Sequence, residues 1–136
     1  MRLLLDTHVL IWLINGDAAL SREAKQEIDD ASVNRETLVS VVCFWEIGML
    51  QVKRRIRLAN SVLDWTRDAV NRPGITVAPL TPEIAVASSF LPGRFHHDPA
   101  DRMIVATARE TGATLVTRDR RILRYGARGH LKGMPA

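Results

Sequence analysis

Four carboxylates in this chain, Asp6, Glu46, Asp101 and Asp119, have the residue type and the placement to hold a hard divalent cation. Asp6 directly follows the apolar run Leu3-Leu4-Leu5, and Asp119 closely follows Val116-Thr117. In a parallel α/β sheet, ligands bind in the crevice beyond the carboxyl ends of the strands. Both aspartates therefore stand at that edge if those runs are strands. Asp101 shares the helical i, i+3, i+4, i+7 spacing with Ile104, Val105 and Ala108, an apolar face that must pack on the sheet. Glu46 lies beside a second apolar stripe, Val42, Trp45, Met49 and Val52, soon after Ser40. Four carboxylates meeting in one crevice repel one another unless a cation or bound protons hold them. Oxygen-only ligands favour Mg²⁺ or Mn²⁺ over zinc, and Mg²⁺ keeps waters and open positions for a phosphate oxygen and a nucleophile.

Each acid also has a plain structural reading. Asp6 and Asp98 are good helix caps, a role worth about 1 kcal/mol each. The helix macrodipole favours a negative charge where Asp101 sits in its first turn. Glu46 reads equally as a solvated helix residue, and Asp119 as a partner of its arginine neighbours. It is the convergence of all four that these separate readings leave unexplained. His96 and His97 precede a helix cap with no His/Cys cluster nearby, so a structural or supporting role is expected of them rather than metal ligation. His8 and His130 receive the same reading.

The elements that must position these residues alternate between helix and strand. Short apolar runs at Arg2–Leu5, Leu38–Ser40, Ile75–Ala78 and Ala113–Thr117 predict four strands. Helices are predicted over His8–Ile14, from Ser21 as N-cap, over Val42–Val52, over Ser61–Val70, and from Thr81-Pro82 to Leu91. The clearest runs from the cap Asp98 through Pro99 to a stop at Gly112. This alternation predicts an α/β domain with a mainly parallel sheet.

At 136 residues and 46% apolar, a single domain with one core is expected over residues 1–136. Nineteen Lys and Arg against fifteen Asp and Glu leave a formal charge of +4, which suits a polyanionic partner. The charge is clustered: Lys53, Arg54, Arg55 and Arg57 share one connection, and Arg118, Arg120, Arg121, Arg124, Arg128 and Lys132 crowd the C-terminal segment. Such runs are often merely solvated faces. Beside an acidic metal centre they also offset the repulsion of a phosphate backbone, and Arg102 and Arg118, each next to a proposed ligand, are the phosphate contacts expected. The lone Cys43 excludes an intramolecular disulfide and reads as a buried, inert thiol. No apolar run approaches the roughly 18 residues that span a bilayer, so no membrane role and a reducing, cytoplasmic location are expected. Trp12 and Trp65 are expected in the core.

The same residues resemble a known family. Leu5-Asp6-Thr7-His8, the Ser40 to Glu46-Ile47 interval, the segment His97-Asp98-Pro99-Ala100-Asp101-Arg102-Met103-Ile104-Val105-Ala106, and Val116-Thr117-Arg118-Asp119 resemble the PIN domain, most of all the VapC-like toxins of bacterial toxin–antitoxin pairs. The resemblance runs from about Arg2 to Arg124, with the His97–Ala106 segment its most specific part. It implies a three-layer α/β/α sandwich and a ribonuclease that hydrolyses RNA phosphodiesters with Mg²⁺ or Mn²⁺. It carries Asp6, Glu46 and Asp101 onto the core acids and Asp119 onto a more variable fourth. Thr7 and Thr117 match hydroxyl residues beside the metal, and Asp98 is a secondary candidate. It further implies a cognate antitoxin and a homodimer.

Two other readings compete with it. An RNA-binding module without catalysis would use the same basic surfaces, and would bind in EDTA while cutting nothing with Mn²⁺. A phosphotransfer domain would use Asp6 as nucleophile, but the Asp-x-Asp pattern of one such class is broken by His8.

Overall fold

The computed structural model describes the whole chain, Met1 to Ala136, as five strands and seven helices. The strands are β1 (Leu3–Leu5), β2 (Thr37–Ser40), β3 (Ile75–Ala78), β4 (Thr114–Thr117) and β5 (Lys132–Pro135). The helices are α1 (Thr7–Asn15), α2 (Arg22–Val33), α3 (Val41–Val52), α4 (Val62–Val70), α5 (Pro82–Ser89), α6 (Pro99–Thr111) and α7 (Arg120–Ala127). Every strand pairing is parallel, in the order β3-β2-β1-β4-β5. Parallel strands need crossovers, which are right-handed. The chain steps from β1 outward to β2 and β3, then returns to β4 and β5 on the other side, so its helices cover both faces. The result is the three-layer α/β/α sandwich expected.

This topology creates one switch point, between β1 and β4, where the crossovers diverge. A crevice opens there beyond the carboxyl ends of the strands. β1 is the middle strand and is buried on both faces, with Leu3, Leu4 and Leu5 fully enclosed. That is why it reads as an unbroken apolar run and not as an alternation. Register ties Leu5 to Val39 on one side and to Val116 on the other, so the three strands end almost level.

Local chemistry explains most helix boundaries. Ser21, Ser61 and Thr81 cap α2, α4 and α5 by accepting the amide three residues on, each at 3.1 Å. Asp98 does the same for Asp101 at 3.1 Å, with Pro99 in the first turn. Gly112 ends α6 in the left-handed conformation (φ 67°), which glycine adopts without a Cβ penalty.

Two expectations require correction. The apolar stripe of α3 is buried only at Val42: Trp45 is 59% and Val52 79% exposed. Cys43 and Ile47 are fully enclosed instead, with Val42 nearly so and Leu50 packed beside them. The helix is apolar on most of its circumference, so periodicity alone cannot select the inward side. The second correction is the C-terminal segment, which reads from sequence as a charged stretch and forms α7 and β5. Ile122 and Tyr125 bury α7 among five arginines of Arg118–Arg128, and β5 adds an edge strand despite Gly133 and Pro135. Pro is tolerated there because an edge strand need not donate on its free side.

Candidate metal centre

All four acids arise at the carboxyl edge of the sheet. Asp6 ends β1 and caps α1, and Asp119 follows β4 and caps α7. Glu46 lies in the second turn of α3 directly beyond β2, and Asp101 lies in the first turn of α6. Because Glu46 is four residues from Val42 and three from Cys43, the rotation of α3 turns it toward the crevice. Asp6, Glu46, Asp98, Asp101 and Asp119 line one cavity of about 520 Å³, together with Thr7, Arg55, Arg118 and Arg121. The structure thus brings together the four expected acids with Thr7 and Asp98.

Hydroxyl groups fix the carboxylates from below. Thr117, fully buried, donates Oγ1 to Asp6 Oδ2 at 2.6 Å and accepts the Asp119 amide at 3.0 Å. Thr7, also buried, donates its hydroxyl to Glu46, while its amide donates to Asp6 Oδ1 at 2.8 Å. Each threonine links two acids. The capping role and the site role of Asp6 are therefore held at once, one oxygen for each.

Burial first, and the charges of neighbouring acids second, raise three of these groups. Burial raises the Asp101 carboxyl, and the charges of Asp6, Asp98, Glu46 and Asp119 raise it further, to about 7. Burial also raises Asp6, against the lowering effect of its Thr117 and Thr7 bonds. Glu46 rises with burial too, opposed by the Thr7 hydroxyl and aided by Asp6. Asp119 moves the other way: burial works to raise it, but the bonds and charge of Arg121 hold it below its ordinary value. Three acids forced toward protonation around one open cavity fit a bound cation, which would restore their charged forms.

His96 belongs to the same corner. Its Nε2 lies 3.1 Å from Asp101 Oδ2, without the alignment of a hydrogen bond, and is buried without another partner. Its Nδ1 accepts the Asp98 amide at 3.3 Å. His96, Asp101 and Asp119 each present a ligand atom within 4.8 Å of the others. Burial and the neighbouring Arg121 charge lower the imidazole pKa.

The arginines divide differently from expectation. Arg102 serves the fold and not the cavity. Its guanidinium donates to the carbonyls of Ser88 (2.8 Å), Phe95 (3.0 Å) and His96 (3.1 Å) and does not line the acidic cavity. It clamps the segment before α6 against α5. Arg118 does line the cavity, stacked 4.8 Å over Trp12, with bonds to the carbonyls of Ala19 and Ala136. Arg121 was not singled out by sequence, yet its Nη2 reaches Asp119 Oδ2 at 3.2 Å and Asp101 Oδ2 at 3.7 Å. The signal available was the cap itself, because an aspartate N-cap accepts the amide two residues on, here Arg121 at 2.8 Å.

The remaining residues follow sequence expectation more simply. Cys43 is enclosed, its thiol pushed by burial to about 12 and donating to the Leu5 carbonyl at 3.7 Å. Trp65 is buried and donates to Asn15 at 3.1 Å. Trp12 departs from it: expected in the core, it is half-buried at the cavity rim beneath Arg118. No helix is long and apolar enough to cross a membrane.

Comparison with known proteins adds lineage to this geometry. The PIN-domain profile matches residues 3–128. A protein named Ribonuclease VapC22, from Mycobacterium tuberculosis, is 39% identical over 119 residues, covering 88% of this chain and 88% of that one. Among solved structures, the chain is similar to one in VapBC2 from Rickettsia felis bound to a DNA fragment from their promoter (TM-score 0.69, 15% identity, 99% and 98% covered). It is also similar to a chain of a toxin–antitoxin complex from Klebsiella pneumoniae (TM-score 0.61, 23% identity, 89% and 90% covered).

Proposed function

The chain belongs to the PIN-domain family, and on that premise we propose that it is a metal-dependent ribonuclease and the toxin of a toxin–antitoxin pair. The observation that carries the reading is the cavity at the sheet's switch point, lined by Asp6, Glu46, Asp101 and Asp119. The ribonuclease name of the 39%-identical relative supports RNA as the substrate. The likeness to chains solved in toxin–antitoxin complexes supports an antitoxin partner. A homodimer, a single domain over residues 1–136 and action in the cytoplasm belong to the same proposal.

The oxygen donors suit Mg²⁺ or Mn²⁺. Asp6, Glu46 and Asp101 would hold the ion, with Asp119 beside them. Such an ion supplies Lewis acidity, acidifying water and drawing charge from the scissile phosphoryl group. The chain's own residues prepare the place. Thr7 and Thr117 lock the carboxylate rotamers, so little ordering remains when substrate arrives. Arg121 keeps Asp119 ionised. Arg55 and Arg118 on the cavity wall offset the repulsion between an acidic centre and a phosphate backbone. In-line attack by water on phosphorus, with the bond to the 3′-oxygen breaking, leaves a 5′-phosphate and a 3′-hydroxyl.

The test is cleavage of end-labelled RNA with Mg²⁺ or Mn²⁺, beside Asp6→Asn and Asp101→Asn. Cuts that carry 5′-phosphates and vanish in both variants and in EDTA are the expected result. Cyclic-phosphate ends would overturn the scheme, since they need the RNA 2′-hydroxyl as nucleophile. RNA binding without cutting would favour the non-catalytic module.

A further inference from the structure

Next to the acidic cavity, on the far side of Arg121, the fold leaves a cleft of about 540 Å³ between α7 and the Arg94–His96 segment. Four arginines line it, Arg94, Arg121, Arg124 and Arg128, and no acid does. Three of them recur at i, i+3 and i+7 from Arg121, one face of the helix, while Ile122 and Tyr125 bury the other. Phe95 closes the wall, half-buried and packed 4.9 Å from the Tyr125 ring. The guanidinium groups of Arg94 and Arg124 are exposed and engage no hydrogen bond or ion pair within the chain, whereas Arg128 leans on the Arg94 carbonyl at 2.8 Å. Like charges gathered on one wall repel, and of the four only Arg121 has acidic partners, Asp119 and Asp101.

The cleft and the acidic cavity are neighbours through two residues. Arg121 lines both, and His96 lines the cleft while its Nε2 stands 3.1 Å from Asp101. A strand whose scissile phosphate lies over the acids would pass Arg121 and enter the cleft directly. The row from Arg121 to Arg128 runs about 10 Å along the helix axis, enough to reach at least one further phosphate. The charge order also fits: carboxylates act on a phosphate only through a cation, whereas guanidinium groups take phosphate oxygens themselves, often in pairs.

We propose that this arginine cleft is a subsite for backbone phosphates of the RNA strand flanking the scissile bond, with Arg94 and Arg124 as its free contacts. The proposal rests on the ribonuclease reading and extends it to the path of the substrate.

The test measures binding of labelled single-stranded RNA by the full chain in Mg²⁺, with Asp6→Asn throughout to prevent cutting. Against that parent, Arg94→Ala/Arg124→Ala should bind about tenfold more weakly, and the slope of log Kd against log salt should shrink by about 1.4, as two lost single-strand phosphate contacts require. Arg94→Lys/Arg124→Lys should recover much of the loss, and matching melting temperatures should exclude unfolding. A control pair, Arg22→Ala/Arg67→Ala, removes the same charge from α2 and α4 and should leave the slope unchanged. Equal loss in the control pair would reduce the effect to net charge and overturn the subsite. Unchanged binding by the cleft pair, with the parent binding well, would also overturn it, leave the ribonuclease reading standing, and point to an acidic protein segment as the occupant. A parent that binds no RNA, beside an unsubstituted chain that cuts none, would remove both readings together.

Discussion

Asp101 is where the cost of the site is concentrated. Burial and four neighbouring carboxylates raise it from 3.8 to about 7. The folded chain therefore keeps a proton over a range in which the unfolded chain has lost it. Linkage then makes the metal-free protein lose stability as pH rises from about 3.8 to about 7, with little change in this contribution above. Asp101→Asn imitates the protonated form, so it should raise the melting temperature of the metal-free protein most at pH 8, less at pH 5, and little below about pH 3.8. Saturating Mn²⁺ should reverse the order at pH 8, stabilising the parent far more than the variant. A variant no more stable than the parent in EDTA at pH 8 would show that the repulsion is relieved by other means. Arg121 gives a second prediction at this scale. It occupies Asp119 and approaches Asp101, so Arg121→Ala should free both carboxylates and tighten Mn²⁺ binding several-fold by calorimetry. Weaker Mn²⁺ binding would mean that Arg121 orients the acids more than it competes for them.

At the scale of elements, the site depends on helix starts. Asp98 lines the acidic cavity, yet its hydrogen bond goes to the Asp101 amide at the head of α6. If Asp98 serves as a cap, Asp98→Ser should keep both stability and cleavage, while Asp98→Ala should lose about 1 kcal/mol in urea unfolding. Strong loss of cleavage in a well-folded Asp98→Ser protein would place the carboxylate among the ion's ligands. The other end of α6 offers a purely conformational test. A Cβ at Gly112 would meet no atom within 4 Å, so only its φ of 67° opposes a side chain. Gly112→Ala should cost about 1 kcal/mol and leave cleavage per folded molecule unchanged.

For the whole molecule, placement of the acids rests on a sheet whose central strand has only three residues. Leu4 is fully enclosed, bonded through β1 to both neighbours. Leu4→Ala should cost about 2–5 kcal/mol by leaving a cavity between the layers. Activity in a protein so weakened should fall with the folded fraction measured by circular dichroism. A loss of cleavage well beyond that fraction would show that β1 also sets the fine geometry of the acids.

Much of this protein was legible from residue order because local physics governs it. The short run Leu3-Leu4-Leu5, closed by Asp6, reads as an enclosed strand, Asp98-Pro99 reads as a helix start, and the 3.6-residue period puts Asp101 on the packed face of α6. The strand-end positions of Asp6 and Asp119 followed from the same rules. Tertiary structure decided what has no local signature. Which side of the largely apolar α3 faces inward depends on what packs against it, and that choice turns Glu46 to the crevice and leaves Trp45 exposed. β5 forms because β4 offers it an open edge, against the preferences of Gly133 and Pro135. Arg102 and Arg121 are chemically alike, and only the fold sends one to three carbonyls and the other to the carboxylates. Long side chains reach partners distant in sequence, so their roles are settled by the packing of whole elements and not by neighbours along the chain.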